Sequence, residues 1–134
     1  LFVEISALSN DLTNRFIIVN DNTNNNRLTF RYRTTSNQLS MEVHIGGVLK
    51  FTILTTITDI TVTQKVALKF KQNDYALWVN GTEVGLNTLS EIWNTNTLSN
   101  IVLYGFGQSF YGNIKAVAVL PILTDEELEC LTTR

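Results

Sequence analysis

Apolar and polar residues alternate along most of the chain, the period-two pattern of half-buried β-strands. Between Arg27 and Thr34, Leu28, Phe30 and Tyr32 fall on one side, and Arg27, Thr29, Arg31 and Arg33 on the other. From Gln38 to Ile45, Leu39, Met41, Val43 and Ile45 alternate with Gln38, Ser40, Glu42 and His44. The Thr-Thr-Ser-Asn between the two runs is turn chemistry. Pairing Tyr32 with Leu39 also sets Phe30 against Met41 and Leu28 against Val43, so the apolar faces agree in register. A two-residue turn at Gly46-Gly47 would leave Val43 opposite Lys50, on the wrong face. The pattern therefore predicts a three-residue loop, Gly46 to Val48, that pairs Ile45 with Leu49 and Val43 with Phe51.

A second meander follows. Pairing across Asn73-Asp74 sets Phe70 opposite Leu77 and Leu68 opposite Val79. Pairing across Asn80-Gly81, the strongest short hairpin signal, sets Leu77 opposite Val84. Strands are thus predicted at Lys65–Gln72, Tyr75–Val79 and Thr82–Gly85, and further ones at Leu1–Ala7, Arg15–Asn20, Ile101–Tyr104 and Gly112–Leu120. About nine short antiparallel strands without a βαβ pattern imply an all-β, two-sheet antiparallel β-sandwich. Thr124-Asp125-Glu126-Glu127 is a capping box, and it predicts a short C-terminal helix from about Asp125 to Leu131.

Composition supports this reading and narrows the function. The 134 residues suit one domain, 1–134, and a start at Leu1 inside a strand-like run suggests part of a longer chain. The 18 Thr and 15 Asn favour strands and turns. Charged residues make up only 16% and the net charge is −2, so nucleic acid is not an expected partner. No apolar run is long enough for membrane insertion. The single Cys and single His exclude a disulfide framework and zinc sites built from several such ligands. Cys130 reads as a small apolar residue of the terminal helix, and His44 as an exposed strand residue.

The stretch Lys65–Val84, with its Tyr-Ala-Leu-Trp-Val-Asn-Gly core, resembles the central hairpins of laminin-G-like domains, which belong to the concanavalin A-like lectin and glucanase superfamily. Phe110–Val119 and Leu123–Leu128 are similar to that family's last strand and terminal helix, and Leu1–Ser6 to its front. The resemblance implies a concanavalin A-like jelly roll. The Asn/Thr-rich character is similar to modules of bacteriophage tail and virion proteins and of secreted carbohydrate-active proteins. Its enzymes carry acidic residues alternating on one strand, as Glu-x-Asp-x-x-Glu; nothing here matches, and the one acidic cluster, Asp125 to Glu129, sits on the helix. A retaining glycosidase needs two carboxylates about 5 Å apart. The resemblance therefore implies no enzyme, and no cofactor beyond a calcium that Asp21, Asn22 and Asn24 could partly ligate.

Three places suit a ligand. Alternation turns Trp78 outward between Lys69 and Glu83, an aromatic platform with a cation and a carboxylate beside it. On the first meander, Arg27, His44 and Lys50 form one outward row and Thr29, Glu42 and Thr52 another, with Arg31 and Arg33 beyond. Arginine forks match the carboxylates and sulfates of acidic polysaccharide. Trp93 lies in an Asn-rich loop of the kind that carries binding residues, whereas Phe106, Phe110 and Tyr111 read as core plugs. The expected function is a noncatalytic carbohydrate or cell-surface recognition module, extracellular or on a virion surface. It would bind glycan or polysaccharide, multimeric among virion or parent-protein subunits. The alternative is a structural or assembly module, with Ile17 and Val19 as outward apolar residues at a protein interface.

Overall fold

In the computed structural model, which describes residues 1–134, the alternating runs become twelve strands and one helix. The strands are β1 (Phe2–Ala7), β2 (Arg15–Asn20), β3 (Arg27–Tyr32), β4 (Gln38–Ile45), β5 (Val48–Thr56) and β6 (Gln64–Lys71). They continue as β7 (Asp74–Val79), β8 (Thr82–Asn87), β9 (Asn100–Val102), β10 (Tyr104–Gly105), β11 (Gln108–Ser109) and β12 (Gly112–Ala118). The helix α1 is Asp125–Thr132. One five-stranded sheet has the order β12-β1-β6-β7-β8 and the other the order β5-β4-β3-β2-β9, all antiparallel, while β10 and β11 form a small hairpin of their own. This is the two-sheet sandwich with a C-terminal helix that the alternation predicts, and no helix is long and apolar enough to cross a membrane.

The core lies between the sheets. Leu28, Phe30, Tyr32, Leu39, Met41 and Val43 meet Val3, Ile5, Val66, Leu68, Tyr75 and Leu77, all within 1% of full burial. Phe51 of one sheet packs edge-on to Tyr75 of the other at 5.1 Å. Burying one such side chain is worth roughly 1.5–3 kcal/mol, so a one-residue slip of any central strand is prohibitively expensive. The β3–β4 register is as predicted, Tyr32 to Leu39 through Leu28 to Val43.

Elsewhere the register is corrected in detail. Ile45 pairs with Val48 across a two-residue Gly46-Gly47 turn, and Val43 still meets Phe51 because a bulge between them absorbs Lys50. Both glycines have φ positive, +60° and +81°, as a primed hairpin turn demands. The three-residue loop is thus replaced by a tight turn and an extra strand residue, which satisfy the same faces. In the second meander the turn is Gln72-Asn73. Phe70 therefore meets Tyr75 and Leu68 meets Leu77, two residues from the predicted pairing and so on the same faces. The Asn80-Gly81 turn pairs Trp78 with Glu83, but a second bulge sets Leu77 against Gly85 instead of Val84. Ile17 and Val19 face the core, 0% and 4% exposed, which removes them as an outward interface. Their partners Phe30 and Leu28 fix that direction.

Candidate functional site

The predicted Trp78 platform is closed. Thr124 caps α1 by accepting from the Glu127 amide at 3.2 Å, and the Glu127 carboxylate returns to the Thr124 amide at 2.8 Å. The helix lies on the outer face of β6–β8, where Leu128 and Leu123 pack on Ala67, Ala76 and Trp78. Trp78 is 7% exposed and its indole N–H is buried without a partner. Lys69 opposes Ala76, not Trp78. Its ammonium bridges Asp125 at 2.8 Å and Asp74 at 2.9 Å. Burial lowers the Lys69 pKa, but hydrogen bonds to Asp125 and Asp74 outweigh it and leave the pKa raised. Lys69 and Trp78 dock the helix; Glu83 remains beside Trp78 on the neighbouring strand. Cys130, on the same helix, is exposed and not part of its buried side.

Trp93 is also closed. It is 8% exposed, packs in the main core with its ring edge-on to Phe70 at 6.2 Å, and donates its indole N–H to the His44 carbonyl at 2.8 Å. Its loop is thereby pinned to β4. Neither tryptophan offers a ring face for a sugar to stack on.

The arginine face, in contrast, is assembled and open. The outer side of β3, β4 and β5 carries a trough of about 540 Å³ lined by Arg27, Arg31, Arg33, Glu42, His44 and Thr52, with Phe106 at its edge. Cross-strand pairing builds it: Thr29, Glu42 and Thr52 form the predicted row, whereas the β5 bulge puts Leu49, not Lys50, beside His44 and Arg27. Lys50 instead pairs with Glu91 at 2.8 Å. One oxygen of Glu42 accepts from both Arg31 and Arg33, the latter at 3.0 Å. Three guanidinium groups against one carboxylate leave the trough two charges positive, on a chain whose net charge is −2.

Its polar atoms are incompletely satisfied. Six buried side-chain N or O atoms in the chain lack a hydrogen-bond partner, and four of them belong to this face: Arg27 Nε, Thr29 Oγ1, Arg31 Nε and His44 Nδ1. A buried polar group without a partner costs roughly 1–3 kcal/mol. Burial depresses the pKa of Arg27 and of Arg31, with Glu42 acting against it in both. His44 is 9% exposed, not open as expected. Burial first, then repulsion from Arg27, lowers its pKa below 6.5; Glu42 opposes and Arg31 adds to the lowering.

One wall of the trough was not legible as such. The β10–β11 hairpin folds across β2 and covers Phe16 and Ile18. Gly105 permits this approach, because a Cβ there would stand 2.8 Å from Ile18 Cδ1 and 3.0 Å from Phe16. At the tip, Phe106 is 59% exposed, meets Phe16 edge-on at 5.5 Å and lies 5.4 Å from the Arg27 guanidinium carbon. Of the three expected core plugs only Phe110 is one, 8% exposed against Tyr32; Tyr111 is exposed like Phe106. The available sequence signal was a phenylalanine between two glycines at a turn. Of the calcium candidates, Asp21 accepts from Thr23 and Asn26 in its own loop, and no group of three or more His, Cys, Asp or Glu residues is placed to hold a metal.

No family model and no curated protein sequence matches the chain. Among solved structures, it is similar to the CBM40 module of the Ruminococcus gnavus IT-sialidase bound to α2,3-sialyllactose. That match has a TM-score of 0.76 and 20% identity over 98% of this chain and 80% of that one. The same module bound to α2,6-sialyllactose gives a TM-score of 0.68 at 18% identity, again over 98% and 80%. An S-layer domain-containing protein of Clostridium thermocellum matches with a TM-score of 0.51 and 16% identity, covering 88% of this chain and 61% of that one. At these identities the likeness establishes the fold, a two-sheet antiparallel β-sandwich.

Proposed function

We propose that the chain is a noncatalytic glycan-binding module that takes an anionic sugar in the arginine trough. The observation that carries this reading is the coincidence, on one open face, of a net positive charge and four unpartnered buried polar atoms. A sugar carboxylate can accept from the guanidinium groups of Arg27, Arg31 and Arg33, and hydroxyls or an amide can pair with Thr52 and His44, all of which line the trough. The similar modules bound to sialyllactose support a sialylated glycan as the first probe. A noncatalytic role is supported by the trough's single carboxylate, Glu42, which already holds two arginines, whereas glycoside hydrolysis uses a pair. Of the expected site residues, Arg31 and Arg33 belong to this site, Trp78, Lys69 and Trp93 serve the fold, and Glu83 lies outside the trough.

Such a module works outside the cell, on a secreted or virion protein, in several copies whose combined avidity raises a weak single-site affinity. A purely structural role is favoured by one feature, the apolar strip Val119, Leu120 and Ile122, 38–55% exposed beside α1. Titration calorimetry with sialyllactose and with lactose decides between them. Binding of the acidic sugar only, weakened at least about tenfold in Arg27→Ala and in Arg31→Ala, is expected, since a charged hydrogen bond is worth roughly 1.5–3 kcal/mol. A folded protein that ignores sialylated, uronic and sulfated glycans alike would leave the structural role.

A further inference from the structure

Phe106 separates two cavities. On one side is the arginine trough. On the other, a cavity of about 460 Å³ runs between the β10–β11 hairpin and the Asn20–Asn26 loop, and Phe106 lines both. The second cavity holds no charged side chain; its polar lining is Asn20, Asn22, Thr23, Asn24 and Tyr104. The loop's scaffolding is done by other groups. Asp21 binds Thr23 and Asn26, and the Asn26 side-chain oxygen Oδ1 accepts from the Gly46 N–H. The side-chain amides of Asn22 and Asn24 and the Tyr104 hydroxyl take no part in that network. The two cavities are also mechanically joined, because Arg27 lies beneath Phe106 and donates to the Asn24 carbonyl.

The backbone marks the same spot. Phe106 and Gly107 have φ of +51° and +79°, the left-handed pair of a primed two-residue hairpin turn. Asn or Gly occupies such a first position readily, as Asn80-Gly81 does here with φ of +50° and +82°. A bulky aromatic there is strained, and strain of this kind gathers at ligand clamps. The ring is not repaid by burial, since it is more than half exposed.

We infer that the site has a second subsite beyond Phe106, for a neutral sugar linked to the anionic one, so that the ligand is an oligosaccharide lying across the Phe106 ring. Amides and hydroxyls both donate and accept, as neutral sugar hydroxyls require, and an exposed aromatic ring suits the apolar C–H face of a pyranose. The absence of charge in this cavity assigns the anion to the trough and the neutral unit to the loop side. This inference rests on the anionic-sugar reading proposed above.

Calorimetry with the α-methyl glycoside of N-acetylneuraminic acid and with α2,3-sialyllactose tests it on the full chain. The trisaccharide is expected to bind about tenfold more tightly than the monosaccharide glycoside. The double variant Asn22→Ala, Asn24→Ala and the single variant Tyr104→Ala are each expected to erase most of that difference and leave monosaccharide affinity unchanged. Phe106→Asn, which suits the turn, is expected to keep the fold by circular dichroism and lose trisaccharide affinity. Equal affinities for the two sugars, or a difference that survives in the loop variants, would overturn the second subsite while the trough reading stands. If neither sugar binds the folded wild-type protein, the second subsite falls, and the trough reading falls with it only when uronic and sulfated glycans fail to bind as well.

Discussion

At the scale of single residues, His44 carries a consequence for pH. Its pKa is lowered by burial and by Arg27 and Arg31, against the pull of Glu42. An unfolded histidine takes up its proton near pH 6.5, while the folded one still resists. Stability from this group is therefore complete above pH ~6.5, falls as the pH drops below that value, and levels off beneath the folded pKa. His44→Gln is expected to flatten the fall in Tm between pH 7 and 5, and an unchanged slope would exclude His44 as the cause. A bound sugar carboxylate works the other way, so acidic-sugar affinity should rise over the same interval in wild type and not in His44→Gln. Alternation alone aligns His44 with Arg27 and Glu42 with Thr29, because side-chain period in a strand is two and registers are pinned by core contacts. It turns Trp78 to the outer face, where it lies, while the expectation for Trp93 comes from its loop; in both cases the cover is what is missed. Alternation says which face a side chain is on, but what covers that face is decided by elements distant in sequence: α1 for Trp78, and the main core for Trp93.

At the scale of elements, the bulge in β5 makes an unusual deletion tolerable. Lys50 is the residue that β4 does not pair, so removing it leaves Val43 opposite Phe51 and converts the hairpin to a regular one. Deletion of Lys50 is expected to lower Tm by only a few degrees, the loss of a surface ion pair being worth about 0–1 kcal/mol. Deletion of Thr52 should unfold the protein, because Ile53 and its neighbours would change faces. Equal Tm values for the two deletions would show that the bulge is not the slack in this strand. The same logic explains why the turn lengths were not legible. A bulge and a longer loop satisfy the same hydrophobic faces, and hydrophobicity alone cannot choose between them. The β10–β11 hairpin gives a second test. Gly105→Val forces branched atoms into Phe16 and Ile18, so it should lift the tip and weaken trisaccharide binding at least about tenfold. Far-ultraviolet circular dichroism should stay unchanged, since the hairpin lies outside the two main sheets. Full affinity in Gly105→Val would mean that the tip's position does not matter to the ligand.

For the whole molecule, charge is distributed against its average. The chain is acidic overall, yet the arginine trough is basic, so an anionic ligand meets local attraction inside a mildly repulsive envelope. Raising salt from about 0.05 to about 0.5 M is expected to weaken acidic-sugar binding several-fold through screening, and no such loss would argue for uncharged contacts as the source of affinity. The two sheets also divide the labour: the outer face of β6–β8 is sealed by α1, and the outer face of β3–β5 is left to the arginines. Because α1 lies on the sealed side, the exposed Cys130 on that helix is the natural point for coupling the protein to a bead, chip or fluorophore. A layer of molecules attached there would present every trough outward from the support, toward the solution being sampled.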